Sequence, residues 1–243
     1  MKKMMLATAI LALTAGASLA QDVVRIGTEG AYEPYNYIDQ ATGELTGYEI
    51  ELGNELCKRA EVKCEFVQNA WDSIIPNLQS GNYDMIMAGM SITDEREEVI
   101  DFSQNYIPPA SSAYVALTAD ANIGEGAVVA AQTGTIQAGY VAESGATLLE
   151  FATPDETVAA VKNGEADAVF ADKDYLAPIA ADSNGELVVL ANEVQLGGGV
   201  GIGLRETDTA LKDKMNAAIQ SMKDDGTLNT MIKKWFGDAA VVF

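Results

Sequence analysis

Histidine is absent from all 243 residues, and cysteine occurs only twice, at Cys57 and Cys64. Without His there is no His-dependent catalytic triad and no imidazole metal ligand. A C-x6-C spacing does not make a C-x-x-C redox pair, and two thiolates are too few for a structural zinc site. Positive charge is scarce as well. Lys and Arg number 15 against 36 Asp and Glu, a formal net charge of −21. Such a chain lacks an electrostatic footprint for nucleic acid and is repelled by anionic lipid surfaces. After the N-terminal segment, no run reaches the roughly 18 apolar residues that a transmembrane helix needs.

That N-terminal segment is the one long apolar stretch. Lys2 and Lys3 precede the run Met4 to Leu13, and Ser18-Leu19-Ala20 supplies small residues at a cleavage site. This is the three-part pattern of a secretory signal peptide, expected over 1–20, and too short for a spanning anchor. Gln21 follows where a lipoprotein would carry Cys. The mature chain is therefore expected to be soluble outside the cytoplasmic membrane, in a periplasm. Export delivers Cys57 and Cys64 to an oxidising compartment, where a disulfide is expected rather than two free buried thiols.

Strands and helices alternate along the rest. Val23 to Gly27, Glu65 to Val67 and Met85 to Ala88 are β-rich runs. Between them, Tyr48 to Ala60 places Leu52, Leu56 and Ala60 at helical spacing, and Ile74, Ile75 and Leu78 mark a short helix. Near the C-terminus, Leu211, Met215, Ile219 and Met222 form a helical stripe capped by Thr207 or Asp208 and stopped by Gly226. Thr227 opens a last helix bearing Leu228, Met231, Ile232 and Trp235, closed by Gly237. The alternation predicts an α/β architecture with largely parallel sheets.

An internal echo predicts two related lobes. Ile74-Ile75-x-x-Leu78-x-x-Gly81-x-x-Asp84-x-Ile86-x-Ala88 recurs 83 residues later as Thr157-Val158-x-x-Val161-x-x-Gly164-x-x-Asp167-x-Val169-x-Ala171. A weaker echo aligns Arg25 to Gly30 with Val129 to Gly134. Strand ends at Glu29, Gly89, Gly134 and Asp172 would then gather at a cleft, because ligands of open α/β sheets collect beyond the carboxyl ends of strands.

Catalytic and nucleotide motifs fail on inspection. Gly197 to Gly203 does not satisfy G-x-G-x-x-G in any frame, and Gln132-Thr133-Gly134-Thr135 lacks the Lys of a phosphate-binding loop. Gly89-Met90-Ser91-Ile92-Thr93 has Thr in place of the second Gly of a nucleophile elbow and no His to activate Ser91. The remaining polar residues at strand ends suit recognition rather than chemistry.

The run Ala88-Gly89-Met90-Ser91-Ile92-Thr93-Asp94-Glu95-Arg96, followed by Ile100-Asp101-Phe102-Ser103, closely resembles the hallmark segment of periplasmic polar-amino-acid-binding proteins. Arg25 to Glu29 with Tyr32-x-Pro34-Tyr35 resembles that family's first strand, and Gly47 to Leu52 its first helix. Gly134-Thr135 resembles its second-lobe anion loop, Asp167 to Asp172 the opposing strand, and Lys234 to Gly237 the terminal helix. Cys57 and Cys64 match the disulfide of the histidine-binding and lysine/arginine/ornithine-binding members. The resemblance spans residues 23–237.

It implies a type II periplasmic binding protein-like fold, two lobes with two crossovers that close like a Venus flytrap. Lobe 1 would comprise 21–110 and 199–243, and lobe 2 would comprise 111–198, with Ile107 to Ala110 in the first crossover. The implied partners are an amino acid and an inner-membrane ABC permease complex, with the protein a monomer, no nucleic acid partner, no cofactor, no metal and no catalytic residue. Arg96 would take the ligand carboxylate with N–H groups at Ser91 and Thr135 in the Gly134-Thr135 loop. Asp172 would take the ammonium, with the Ser91 hydroxyl and the Gly89 carbonyl alongside. Tyr32, Trp71 and Glu29 would select the side chain, and Gln137 completes the implied set.

Glu29 favours a distal cation, so the ordering is lysine, arginine or ornithine first, glutamine second, glutamate well behind. Ala88, Gly89 and Ile136 depart from the residues of the cationic-ligand binders. Two readings from other classes stand beside this one. One is a periplasmic cyclohexadienyl dehydratase-like lyase, and the other is an extracellular sensor module.

Overall fold

The computed structural model describes residues 23–243, so the predicted leader lies outside the described residues. The chain opens with β1 (Val23–Thr28), β2 (Ala31–Tyr32), β3 (Asn36–Ile38), β4 (Leu45–Thr46), α1 (Tyr48–Arg59) and β5 (Lys63–Gln68). A 3-10 turn at Trp71–Ser73 leads into α2 (Ile74–Gln79), β6 (Met85–Ile86), α3 (Asp94–Glu97) and β7 (Asp101–Phe102). Next come β8 (Ser111–Ala116), β9 (Val128–Gln132), α4 (Ile136–Glu143), β10 (Thr147–Phe151), α5 (Pro154–Lys162), β11 (Ala168–Asp172), α6 (Lys173–Asp182) and β12 (Val188–Gln195). The chain closes with β13 (Gly203–Leu204), α7 (Thr209–Asp224) and α8 (Thr227–Phe236).

Two five-stranded sheets result, ordered β5-β1-β6-β13-β7 and β10-β9-β11-β8-β12. In each, the first three strands pair in parallel and the fourth pairs antiparallel with both of its neighbours, so four of the five strands run one way. The expectation of largely parallel sheets holds for strand direction, with one reversed strand inserted in each. The antiparallel strand beside each parallel triplet reaches its place after the chain has crossed between lobes, which no local pattern announces. Residues 103–110 carry the chain out of the first sheet and 196–202 bring it back. Val200 bridges to both Ser91 and Ile107 there.

The internal echo is structural, and its register can be read. Asp84 accepts from the Arg25 backbone N–H at 2.9 Å, and Asp167 accepts from the Val128 backbone N–H at 2.8 Å. Ile26 pairs with Met85 as Val129 pairs with Ala168. Arg25 therefore corresponds to Val128, one residue away from the weaker alignment predicted from sequence. Strands in parallel sheets are buried on both faces, so they carry little of the alternation that fixes register. Under the corrected register Glu29 corresponds to Gln132. The third predicted strand also ends early, at Ile86 rather than Ala88, because the chain turns away at Gly89 with φ +63°.

Helix α1 shows how local sequence sets the frame. Gly47, at φ 123°, caps it where any Cβ would strike the Tyr35 carbonyl. Glu49 and Glu51 occupy its first turn and Lys58 and Arg59 its last, matching the helix dipole. Leu52 and Leu56 pack fully buried with Met215, Ile219 and Met222 of α7 and Leu228 of α8. Cys57 at its end is bonded to Cys64 of β5 as predicted, with Cα atoms 6.2 Å apart. No helix among the described residues is long and apolar enough to cross a membrane.

Candidate functional site

The carboxyl ends of both sheets face one cavity of about 340 Å³, lined from the first lobe by Glu29, Tyr32, Trp71, Ala88, Gly89, Ser91 and Arg96. Gln132, Thr135, Ile136, Gln137 and Asp172 line it from the second. Nine of the ten predicted ligand residues meet here. The tenth, Gly134, stands just behind the wall, where its carbonyl lies 3.4 Å from an Arg96 nitrogen.

Arg96 is placed by α3. Thr93 caps that helix, its hydroxyl accepting from the Arg96 backbone N–H at 3.2 Å. The guanidinium donates to the Ser91 carbonyl at 2.8 Å and sits 5.3 Å from the centre of the Trp71 ring. Only 9 % of Arg96 is exposed, and among the described residues no carboxylate is within ion-pair distance of it. Burial pulls its pKa down to about 10, partly opposed by Asp172. It is a desolvated cation whose planar fork is not satisfied by a protein acid, suited to a carboxylate. Thr135 adds the N-terminus of α4, its hydroxyl accepting from the Ala138 N–H at 3.1 Å and donating to the Gln132 carbonyl at 2.7 Å.

Asp172 ends β11 and is held on both oxygens. Tyr32 donates its hydroxyl to one at 2.8 Å, and the Gln137 amide donates to the other at 2.9 Å. Gln137 is itself fixed by a second donation, to the Ser112 hydroxyl at 3.0 Å. Burial lifts the Asp172 pKa to about 6 against the pull of the Tyr32 hydrogen bond. The Tyr32 ring stacks on Tyr175 of α6, centroids 4.4 Å apart, so Tyr32 both lines the cavity and orients the acid.

Glu29, just past β1, is 7 % exposed. One carboxylate oxygen accepts from the Gln132 amide at 2.6 Å, while that amide also donates to the Ala152 carbonyl at 3.1 Å. Burial, with Asp155 and Asp72 adding repulsion, pushes the Glu29 pKa up to about 7. The two residues that correspond by internal repetition thus meet across the cleft. Gln132 was missing from the predicted site set, and so was the stacking partner Tyr175. The repeat contained the signal for Gln132, but the one-residue slip paired Glu29 with Thr133.

Taken together the cavity holds the buried cation Arg96, the buried acid Glu29 and the half-buried acid Asp172, with aromatic walls at Tyr32 and Trp71. Among the described residues no group of His, Cys, Asp and Glu is arranged to hold a metal.

Residues 24–238 match the family described as bacterial extracellular solute-binding proteins, family 3. The chain is 33% identical over 256 residues to the lysine/arginine/ornithine-binding periplasmic protein of Escherichia coli (strain K12), covering 97% of each. It superposes with TM-score 0.88 and 69% identity on a crystal structure of a periplasmic His/Glu/Gln/Arg/opine family-binding protein from Silicibacter pomeroyi in complex with lysine, covering 90% of this chain and 100% of that one. An ancestral amino acid-binding protein, described as a precursor of cyclohexadienyl dehydratase, matches with TM-score 0.80 and 32% identity, covering 88% of this chain and 95% of that one.

Proposed function

The chain belongs to family 3 of the bacterial extracellular solute-binding proteins, and on that premise we propose that it is the periplasmic receptor of an ABC amino acid importer. It captures an L-amino acid with a cationic side chain, namely lysine, arginine or ornithine, between its lobes and presents the closed complex to an inner-membrane permease.

One observation carries the choice of ligand: Glu29 is a buried acid beyond what a zwitterion uses. A ligand carboxylate engages Arg96, and its ammonium engages Asp172, which together leave Glu29 uncompensated. Beside a neutral amino acid Glu29 takes up a proton, as its pKa of about 7 allows, whereas a side-chain cation pairs with the ionised carboxylate. An acidic ligand would add a like charge, at a cost of several kcal/mol. Trp71 and Tyr32 offer faces for the alkyl stem or the cation. The lysine complex of the relative from Silicibacter pomeroyi supports this ordering.

A second ligand, glutamine, is favoured by the Gln132 amide, which already shows Glu29 accepting from a carboxamide. A thermal-shift screen of protein refolded free of co-purified ligand separates the two. At a thousand times its dissociation constant a ligand adds about 4 kcal/mol of stability. The expected result is a shift with lysine, arginine and ornithine and a smaller one with glutamine. A shift with glutamine alone, or with none of the amino acids, overturns the ligand assignment.

The receptor reading carries no turnover. Glu29, with its raised pKa, is the group a lyase would use as proton donor, so prephenate and arogenate are the substrates to test. Release of an aromatic product that Glu29→Gln abolishes would replace a receptor by an enzyme.

A further inference from the structure

Behind the cavity wall lies a carboxylate that the binding reading does not use. Glu49, in the first turn of α1, is fully buried and does not line the cavity. Among the described residues no Lys or Arg pairs with it. Its two oxygens are met by hydrogen-bond donors from three separate segments. One oxygen accepts from the Gly89 backbone N–H at 2.7 Å and from the Tyr106 hydroxyl. The other accepts from the Asn36 amide at 2.7 Å. Asn36, also fully buried, passes the connection on, its own side-chain oxygen accepting from the Gly30 N–H at 2.7 Å.

The segments joined in this way are those that matter for binding. Gly30 opens the turn between Glu29 and Tyr32. Gly89 sits in the turn that leads to Ser91. Tyr106 lies on the first crossover, where its N–H donates to the Val200 carbonyl at 2.8 Å and its carbonyl accepts from the Tyr48 hydroxyl at 3.0 Å. Both glycines have positive φ, +77° and +63°, a conformation that favours glycine, and each turn gives its glycine N–H to this link. An apolar residue at 49 would fill the space but leave the Gly89 N–H, the Tyr106 hydroxyl and one Asn36 N–H unpaired.

We propose that Glu49 is a positioning residue that, through Asn36, holds the two cavity-lining turns of the first lobe in register with each other and with the crossover. The proposal rests on the reading above that an amino acid binds in the cleft. Because both turns serve the common part of the ligand as well as its side chain, Glu49 acts on every amino acid alike.

The donor pattern supplies its own test. In Glu49→Gln the new amide nitrogen faces the Asn36 nitrogen, donor against donor. In Asn36→Asp two carboxylates face each other. The double variant Glu49→Gln, Asn36→Asp restores a donor facing an acceptor at every contact and leaves the Gly30 N–H its partner. Titration calorimetry on ligand-free protein should show each single variant weakening lysine, arginine and glutamine by a common factor of about tenfold or more, and the double variant returning to within about threefold of wild type. Single variants that bind within about twofold of wild type, or a double variant that regains its unfolding midpoint without regaining affinity, overturn the proposal. If a single variant does not fold, the milder Tyr106→Phe takes its place, with the same common weakening expected and unchanged affinities counting against the proposal. Were the wild type to bind no amino acid, the functional reading would fall by itself. The amide resonances of Gly30 and Gly89 would still decide the coupling, since both must move in Glu49→Gln, and a Gly30 signal that stays in place refutes it.

Discussion

Glu29 and Arg96 carry opposite charges into one cavity, yet in the proposed reading they answer for different parts of the ligand, and substitution separates them. Arg96→Ala removes the partner of the carboxylate shared by all amino acids. The expected loss is about 2–5 kcal/mol for lysine, arginine and glutamine together, the usual result of truncating one side of a buried charged contact. Submicromolar binding retained by that variant sinks the assignment. Glu29→Gln keeps the shape and the contact with Gln132 but removes the surplus charge. Cationic ligands should weaken by roughly 2–5 kcal/mol, while glutamine changes by less than about 1 kcal/mol. Equal losses for all three ligands mean that Glu29 does not read the side chain. Both affinities come from titration calorimetry. At this scale the sequence was most legible where residues stand in a contiguous motif, as from Gly89 to Arg96. It was least legible at Gln132 and Tyr175, whose importance comes from touching Glu29 and Tyr32 across the cleft.

Helices with a clear apolar stripe and a glycine stop were readable within a residue or two. Predicted Tyr48 to Ala60 became Tyr48–Arg59, and the last helix opens at Thr227 and ends at Phe236 before Gly237 as read. Two of the shortest strands were not readable, although Met85–Ile86 was. The two-residue strands Asp101–Phe102 and Gly203–Leu204 carry no alternation, and they form because Gly203–Leu204 pairs with the edge of β6 and Asp101–Phe102 in turn pairs with Gly203–Leu204. The disulfide belongs to this scale, tying the end of α1 to β5 across a short loop. Closing so short a loop stabilises by about 2–3 kcal/mol through the unfolded chain. Replacing both Cys57 and Cys64 by Ser should therefore lower the unfolding midpoint by roughly 4–12 °C, read by calorimetry. Ligand affinity should stay unchanged, because neither cysteine touches the cavity. A loss of affinity with an unchanged midpoint would reverse that division of labour.

For the whole molecule, the contacts that close the cleft are also the ones that titrate. Gln132 with Glu29, Tyr32 with Asp172 and Arg96 with Gly134 all join one lobe to the other, and the Tyr32–Tyr175 stack adds an apolar contact. Closure buries Glu29 and Asp172, raising them from 4.5 to about 7 and from 3.8 to about 6. Opening rehydrates both and returns them toward their ordinary values. Between those limits the closed form holds protons that the open form has released, so raising the pH from about 4 to 7 drives the ligand-free protein open. Each acid contributes up to about 3 kcal/mol to that shift. A bound cationic amino acid places positive charge against both acids, so it removes the penalty and keeps the molecule closed across the same range. Small-angle scattering should therefore show the radius of gyration of ligand-free protein rising between about pH 4 and pH 7, with no rise when lysine saturates the site. If the ligand-free radius does not change with pH, these two acids do not govern closure. A rise that persists in saturating lysine means that the ligand does not neutralise them, and the charge argument for a cationic ligand then fails with it.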